Sequence, residues 1–228
     1  LMWTPSLTQS LWAKLARAPR VPARAEYHTT VTTTIIPPNI LITSIPALNQ
    51  LKPETMGSLE LGYRAQITPG ASVNVTAYRQ RYRDRTSGEA AGTSLALWPY
   101  IIQNFAICNC SSGWIDGVEL AADWLVTPTW RLQLSLTTTR IDMDAGQTPV
   151  VAADNATQEK RTPRHYGSLR SQWNLGANQQ FDAWLRGSAG YELVNSPFTN
   201  LIRVPGYLTL DLRYAYRVNH DLELSVTG

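Results

Sequence analysis

From Ser58 to Ile67 apolar and polar side chains change places at every step. Leu59, Leu61, Tyr63, Ala65 and Ile67 take the odd positions, and Ser58, Glu60, Gly62, Arg64 and Gln66 the even ones. A period of two sorts the two sets onto opposite faces of an extended strand. Tyr207 to Val218 repeats the split, with Leu208, Leu210, Leu212, Tyr214, Tyr216 and Val218 against Thr209, Asp211, Arg213 and Arg217. Weaker versions set Val118, Leu120, Ala122 and Trp124 against Glu119 and Asp123, Trp130, Leu132, Leu134 and Leu136 against Arg131 and Gln133, and Phe181, Ala183, Leu185, Ala189 and Tyr191 against Asp182, Arg186 and Glu192. Leu11 to Leu15 and His165 to Leu175 alternate with interruptions, and Leu222, Leu224 and Val226 and a stub at Leu1 to Trp3 complete about ten strands. Between Val73 and Asp84 the phase slips from Val73, Val75 and Ala77 to Tyr78 and Tyr82, which predicts a bulge near Ala77.

The connections between these strands alternate in length. Thr4-Pro5-Ser6, Thr68-Pro69-Gly70-Ala71, Thr127-Pro128-Thr129, Gly176-Ala177-Asn178 and Asn219-His220-Asp221 are short and carry turn chemistry. The links at about 19–57, 85–113, 144–164 and 194–206 are long. An antiparallel transmembrane β-barrel has this layout, because hydrocarbon tolerates only backbones whose hydrogen bonds close within the protein. Its strands cross in about 9–11 residues, with short turns on the periplasmic side, long outer loops and aromatic girdles. Trp124 and Trp130 flank one short turn and Tyr216 lies beside another, where a girdle belongs. A soluble β-sandwich also explains the period, but not the sorting of loops into a short and a long edge.

With 43% apolar and 16% charged residues the chain is too apolar for a disordered segment, and no apolar run approaches the length of a transmembrane helix. Twenty basic and 17 acidic residues leave a net charge of only +3, and no run of like charge marks a nucleic-acid-binding arm. All basic residues but Lys14, Lys52 and Lys160 are arginines. No catalytic string occurs, and His28, His165 and His220 are scattered, so no enzyme, cofactor or metal centre is expected. Asp142-Met143-Asp144-Ala145-Gly146 begins like a calcium loop, yet its twelfth position is Ala153 where a glutamate is needed, and the segment reads as a solvated strand end. Cys108 and Cys110, one residue apart, are expected not to close on each other readily and to be paired elsewhere or spare. The chain stops in mid-pattern at Leu222-Glu223-Leu224-Ser225-Val226-Thr227-Gly228, which reads as a piece of a longer protein.

Ser10 to Glu26, with Trp12, Arg17, Ala18, Arg20, Pro22 and Arg24, resembles the barrel of TonB-dependent outer-membrane receptors. Lys52-Pro53-Glu54-Thr55, Glu60-Leu61-Gly62-Tyr63-Arg64 and Tyr82-Arg83-Asp84 follow in that family's order. Gly117-Val118-Glu119-Leu120, Trp130-Arg131-Leu132, Thr162-Pro163-Arg164-His165, Pro205-Gly206-Tyr207 with Leu210-Asp211, and Leu222-Glu223-Leu224-Ser225 are similar to its later motifs. The resemblance covers nearly the whole chain. It implies that residues 1–228 are a single partial domain, the carboxy-terminal part of a barrel of about 22 strands, with the plug domain and last strand absent.

The resemblance further implies an outer-membrane receptor and transporter for TonB-energised uptake of a scarce ligand, a ferric siderophore or other metal chelate being the first expectation. Its partners would be the TonB-ExbB-ExbD complex, acting through the plug, and the lipid and lipopolysaccharide of the bacterial outer membrane. A passive porin-like barrel and a soluble carbohydrate-binding or adhesive β-domain are the alternatives. Arg17, Arg20, Arg24, Arg81 and Arg83 at the outer end would suit an anionic chelate, since guanidinium groups bind carboxylate and phosphate in pairs. They would equally suit pairing with wall carboxylates or bridging lipopolysaccharide phosphates. Tyr27, Trp98 and Tyr100 are candidate grips for an apolar ligand face. Glu60, Arg64, Glu119, Asp123, Asp211, Arg213 and Glu223 are expected to face the lumen and its plug.

Overall fold

The structure is a computed structural model that describes residues 1–24, 26, 31–36, 40–45, 51–96, 99–194 and 201–228; His28, Tyr27 and Trp98 lie outside them. Ten antiparallel strands form one continuous wall in chain order: β1 (Met2–Ser6), β2 (Gln9–Arg20), β5 (Glu54–Thr68), β6 (Ala71–Ser94), β7 (Ile101–Thr127), β8 (Trp130–Met143), β9 (His165–Asn174), β10 (Gln179–Ser188), β13 (Tyr207–Arg217) and β14 (Glu223–Thr227). Two hairpins rise from the long outer links. β3 (Val31–Ile36) and β4 (Ile40–Ile45) pair with each other, and β4 adds parallel to β7 with Ile40 opposite Ile101. β11 (Tyr191–Val194) and β12 (Leu201–Val204) make a separate two-stranded sheet. A helix, α1 (Pro149–Lys160), stands in the link between β8 and β9, started by Thr148, whose hydroxyl accepts from the Val151 N–H.

Residues directly opposite in an antiparallel pair share a face, so the register carries each face across the wall. One row joins Leu11, Tyr63, Val75, Leu120, Leu136, Gly167, Gly187 and Leu208. The next rows hold Leu134, Leu169, Leu185 and Leu210, and the row nearest the short turns holds Trp130, Trp173, Phe181 and Tyr214. Trp130 stacks on Trp173 at 6.0 Å between ring centres, and Trp173 meets Phe181 at 5.5 Å. These aromatics edge an aliphatic band that stands bare, with Leu61 52%, Leu210 57% and Leu208 70% exposed. Burying one such side chain is worth about 1.5–3 kcal/mol, and hydrocarbon supplies that burial for a barrel wall. Among the described residues no helix is long and apolar enough to cross a membrane; the strands make the crossing.

The structure departs from the sequence reading at five places. Thr4 and Pro5 belong to β1, and the first turn is Leu7-Thr8; Pro5 falls where the pairing of β1 with β2 shifts register, between Trp3 and Ser6, and a strand tolerates proline at such an irregularity. No bulge occurs at Ala77, since β6 pairs without a shift from Ala71 to Tyr82. Tyr78 and Tyr82 simply lie on the polar face, and the irregularity comes at Asp84, whose φ is 54°. Asn109 holds that kink, its amide donating to the Asp84 carbonyl at 2.6 Å and its oxygen accepting from the Lys52 N–H at 2.7 Å. The link at 85–113 is mostly strand: β6 and β7 stay paired to Ser94 and Ile102. Tilted at about 45°, strands of 24 and 27 residues overshoot a ~30 Å hydrocarbon layer. Beyond it neither face meets lipid, so the apolar alternation that marks a strand is lost.

The fourth departure is α1, a helix in the 144–164 link that was expected only as a long loop; the strand end expected at Asp142 is where β8 stops, at Met143. The last is the cysteine pair: Cys108 and Cys110 form a disulfide with Cα atoms 5.3 Å apart. An extended backbone points both side chains to one face, and this proximity outweighs the short spacing.

Candidate functional site

The face opposite the leucines is ionic and hydrogen-bonded throughout. Glu60, Arg64, Glu119, Asp123, Asp211, Arg213 and Glu223 all lie on it, as the cross-strand register of each shows. Arg213 joins two strands, donating to Glu223 at 2.7 Å and to Asp182 at 3.4 Å. Asp182, 5% exposed, also accepts from Arg170 at 3.5 Å. Arg186 donates twice to Asp211, at 2.6 and 3.1 Å, and lies over the Trp184 ring at 4.7 Å. Arg131 and Gln133 hold Asp123, and Trp12 donates to Glu60 at 3.3 Å. Arg64 stands 5.9 Å over the same Trp12 ring, and Glu119 is exposed.

Asp182, Arg186 and Arg170 belong to this wall as firmly as the residues chosen from sequence. The alternation of β10 contains the signal for the first two; Arg170 is obscured by the interruptions in β9. Trp12 and Tyr78 also face this side, their polar tips bonded to Glu60 and Thr139.

At the outer end of the same face Arg20 gathers Glu54 and Glu26, each at 2.9 Å, and Thr86 at 3.3 Å. Burial alone would raise the Glu54 carboxyl, but the Thr86 hydroxyl and N–H and the Arg20 charge hold it below the usual glutamate value. Arg24 stands exposed just beyond β2. α1 is seated here through Asn155, which is buried, accepting from Ser111 at 2.7 Å and donating to the Asp144 carbonyl at 2.8 Å. Asp142 and Asp144 are held by Arg140 and Arg81.

The five arginines picked from sequence separate. Arg17 and Arg81 lie in one row with Gly57 between them, and Arg83 faces Thr55 in the row above. These rows continue the leucine face, directly beyond Leu15 and Leu59. Arg20 lies on the polar face, opposite Glu54.

A wall of tilted-strand length, bare aliphatic on one side with an aromatic edge and ionic on the other, is a segment of a transmembrane β-barrel. The described residues offer it no catalytic constellation and no group of three or more metal-ligating side chains. The chain belongs to the TonB-dependent receptor-like β-barrel family, whose model matches residues 1–228. Members of that family are outer-membrane barrels that act as receptors and transporters, not enzymes, and the outer membrane is the place of this chain.

Solved structures share the fold. The ferric-catecholate import receptor Fiu of E. coli K12 superposes with a TM-score of 0.69 at 16% identity, covering 99% of this chain and 29% of that one. A mutant of the ferric enterobactin receptor PfeA from Pseudomonas aeruginosa, in complex with enterobactin, gives a TM-score of 0.74 at 15% identity, covering 99% and 33%. The copper transporter OprC gives 0.64 at 17%, covering 95% and 30%. The chain thus spans about a third of the length of these relatives. No curated protein sequence matches it.

Proposed function

We propose that the protein containing this wall is a TonB-energised importer of a scarce ligand, a ferric siderophore or another metal chelate. The observation that carries the reading is the continuous ionic inner face, from Arg213, Asp182 and Glu223 across to Glu60. Such a surface holds a removable plug by hydrogen bonds and ion pairs that water can replace, which a packed apolar interior would not allow. The likeness in fold to receptors for ferric chelates and to a copper transporter supports the choice of cargo. TonB, powered by ExbB and ExbD, would act on the plug, while the seven inner-face residues named above line the path. Arg20, on the inner face at its outer end and paired there with Glu54 and Glu26, and Arg24, exposed just beyond β2, would be the arginines offered to an anionic chelate.

The test is uptake of radiolabelled ferric chelates by iron-starved cells carrying the full-length gene. Uptake that disappears on deletion of the gene or of TonB, and whose KM rises in Arg20→Ala and Arg24→Ala, supports the reading. Uptake that persists without TonB identifies a passive porin-like barrel instead.

A further inference from the structure

The outward arginines occupy a different place from the lumen site. Arg17, Gly57, Arg81 and Trp114 form one cross-strand row on the lipid-facing side, and Leu15, Leu59 and Arg79 form the row beneath it. Gly57 leaves a gap in the row, since a Cβ placed there would meet nothing within 4 Å. The result is a groove of ≈ 560 Å³ lined by Leu15, Arg17, Gly57, Leu59, Arg79 and Trp114. It runs on into a smaller hollow bounded by Arg17, Arg81 and Arg83. Trp114 forms one wall, with the guanidinium carbons of Arg79 and Arg81 at 4.3 and 4.9 Å from its ring. Arg79 and Arg81 also pair with Asp116 and Asp144. Arg17 and Arg83 have no acidic partner within salt-bridge distance among the described residues, so the hollow keeps a net positive charge.

We propose that this groove binds a phosphorylated glycolipid of the outer leaflet, with its phosphate between Arg17 and Arg83 and its acyl chains descending over Leu15 and Leu59. Two features select a lipid over a soluble anion. The positive hollow opens on the side of the wall that faces hydrocarbon, and along β2 and β5 the aliphatic band continues from it through Leu15 and Leu59 to Ala13 and Leu61. A phosphate anchored by guanidinium groups and a chain buried on leucines are the two signals that together give stable membrane-surface binding. The inference rests on the outer-membrane placement of the wall and is independent of which ligand is imported.

The experiment uses full-length protein purified in detergent, titrated with bis-phosphorylated lipid A, with its dephosphorylated form and with inorganic phosphate, and read by native mass spectrometry. The parent protein should retain the bis-phosphorylated lipid, and the Arg17→Gln/Arg83→Gln double variant should bind it at least about tenfold more weakly. Lys160→Gln, which removes one positive charge from α1, should bind as the parent does. Gly57→Leu fills the hollow without changing charge and should lose binding as well; the heat-induced gel shift of each variant reports that the barrel has formed. Equal retention by the parent and by folded Arg17→Gln/Arg83→Gln or Gly57→Leu protein overturns the proposal. Equal affinity for the dephosphorylated lipid, or displacement by millimolar phosphate, overturns it too, by assigning the groove to acyl chains alone or to a free anion.

Discussion

The ring of Tyr78 lies across the bare backbone of Gly117 and reaches the next strand, where its hydroxyl donates to Thr139 Oγ1 at 3.4 Å. The three residues form one row over β6, β7 and β8, so the tyrosine bridges two strand intervals through the space that glycine leaves. A Cβ on Gly117 would stand 2.3 Å from the Tyr78 ring and hydroxyl. Gly117→Ala must therefore displace the ring and break its bond, at a cost of about 1–3 kcal/mol. In a Tyr78→Ala background the same substitution should cost much less, because the space is then open. Urea midpoints of the four proteins refolded in detergent measure the coupling; equal costs in both backgrounds would show that the contact is not what requires glycine.

Asp182 is the most enclosed carboxylate of the inner wall and receives two arginines from neighbouring strands. Its side chain is 7% exposed, against 39% for Arg170 and 32% for Arg213. Asp182→Ala leaves both guanidinium groups facing each other across a gap with their shared acceptor gone. The expected loss is about 1–3 kcal/mol, kept at that level because both arginines reach water. Asp211→Ala, at a half-buried residue whose side chain is 40% exposed, should cost less, and a reversed order in unfolding midpoints would contradict the burial argument.

Much of this wall is legible in the sequence because lipid enforces the code. Leu59, Leu61, Leu208, Leu210 and Leu212 must face hydrocarbon, so their alternation fixes strand phase, and phase fixes the inner position of Glu60, Asp211 and Arg213. The same logic applied to Arg17, Arg81 and Arg83 places them outside, since each shares odd parity with a leucine, valine or alanine of its own strand; their charge drew attention away from their phase. Tyr78 and Tyr82 misled for the opposite reason, being counted as apolar although a tyrosine can face either side. Where lipid ends, the code ends with it. The outer parts of β6 and β7 and the helix α1 are fixed by backbone pairing and by single polar contacts such as Asn155 with Ser111, which leave no periodic trace.

The Arg81–Asp144 pair ties the chain just past β8 to the outer extension of β6, close to the start of α1. Arg81 donates to both carboxylate oxygens, at 2.9 and 2.5 Å, and holds the Asp144 carboxyl below its ordinary value of 3.8. A carboxyl whose folded value is depressed stabilises fully above the unfolded value, and that stabilisation is lost as pH falls through the folded one. The tether is therefore intact at neutral pH and weakens only below 3.8. With the Asp144 side chain 44% exposed, solvent screening keeps its worth under about 1 kcal/mol. Hydrogen exchange over residues 149–160 should quicken in Asp144→Asn at pH 7, and acid should quicken it in the parent but add little in the variant. A variant that exchanges like the parent at pH 7 would show that α1 is held by its other contacts: Asn155 with Ser111, Asp154 accepting from the Ser87 hydroxyl, Glu159 accepting from the Met143 N–H, and Lys160 with Glu192.

Leu169 sits at the middle of the aliphatic band, opposite Leu134 on β8 and Leu185 on β10, with Leu210 next in the row. Its neighbour Arg170 points the other way, to Asp182 and the Trp184 ring. If the leucine face meets hydrocarbon, Leu169→Arg places a charge near the bilayer midplane, where a barrel wall loses about 2–4 kcal/mol. Arg170→Leu, one position along, puts an apolar side chain on the polar face and should cost only its hydrogen bond to Asp182, about 1–2 kcal/mol. Folding of full-length protein into lipid vesicles, followed by the heat-induced gel shift and by denaturant titration, compares the two. A soluble sheet with water on the leucine face would reverse the order, because arginine at position 169 would then be solvated; a larger loss for Leu169→Arg than for Arg170→Leu fixes which side of the wall is lipid.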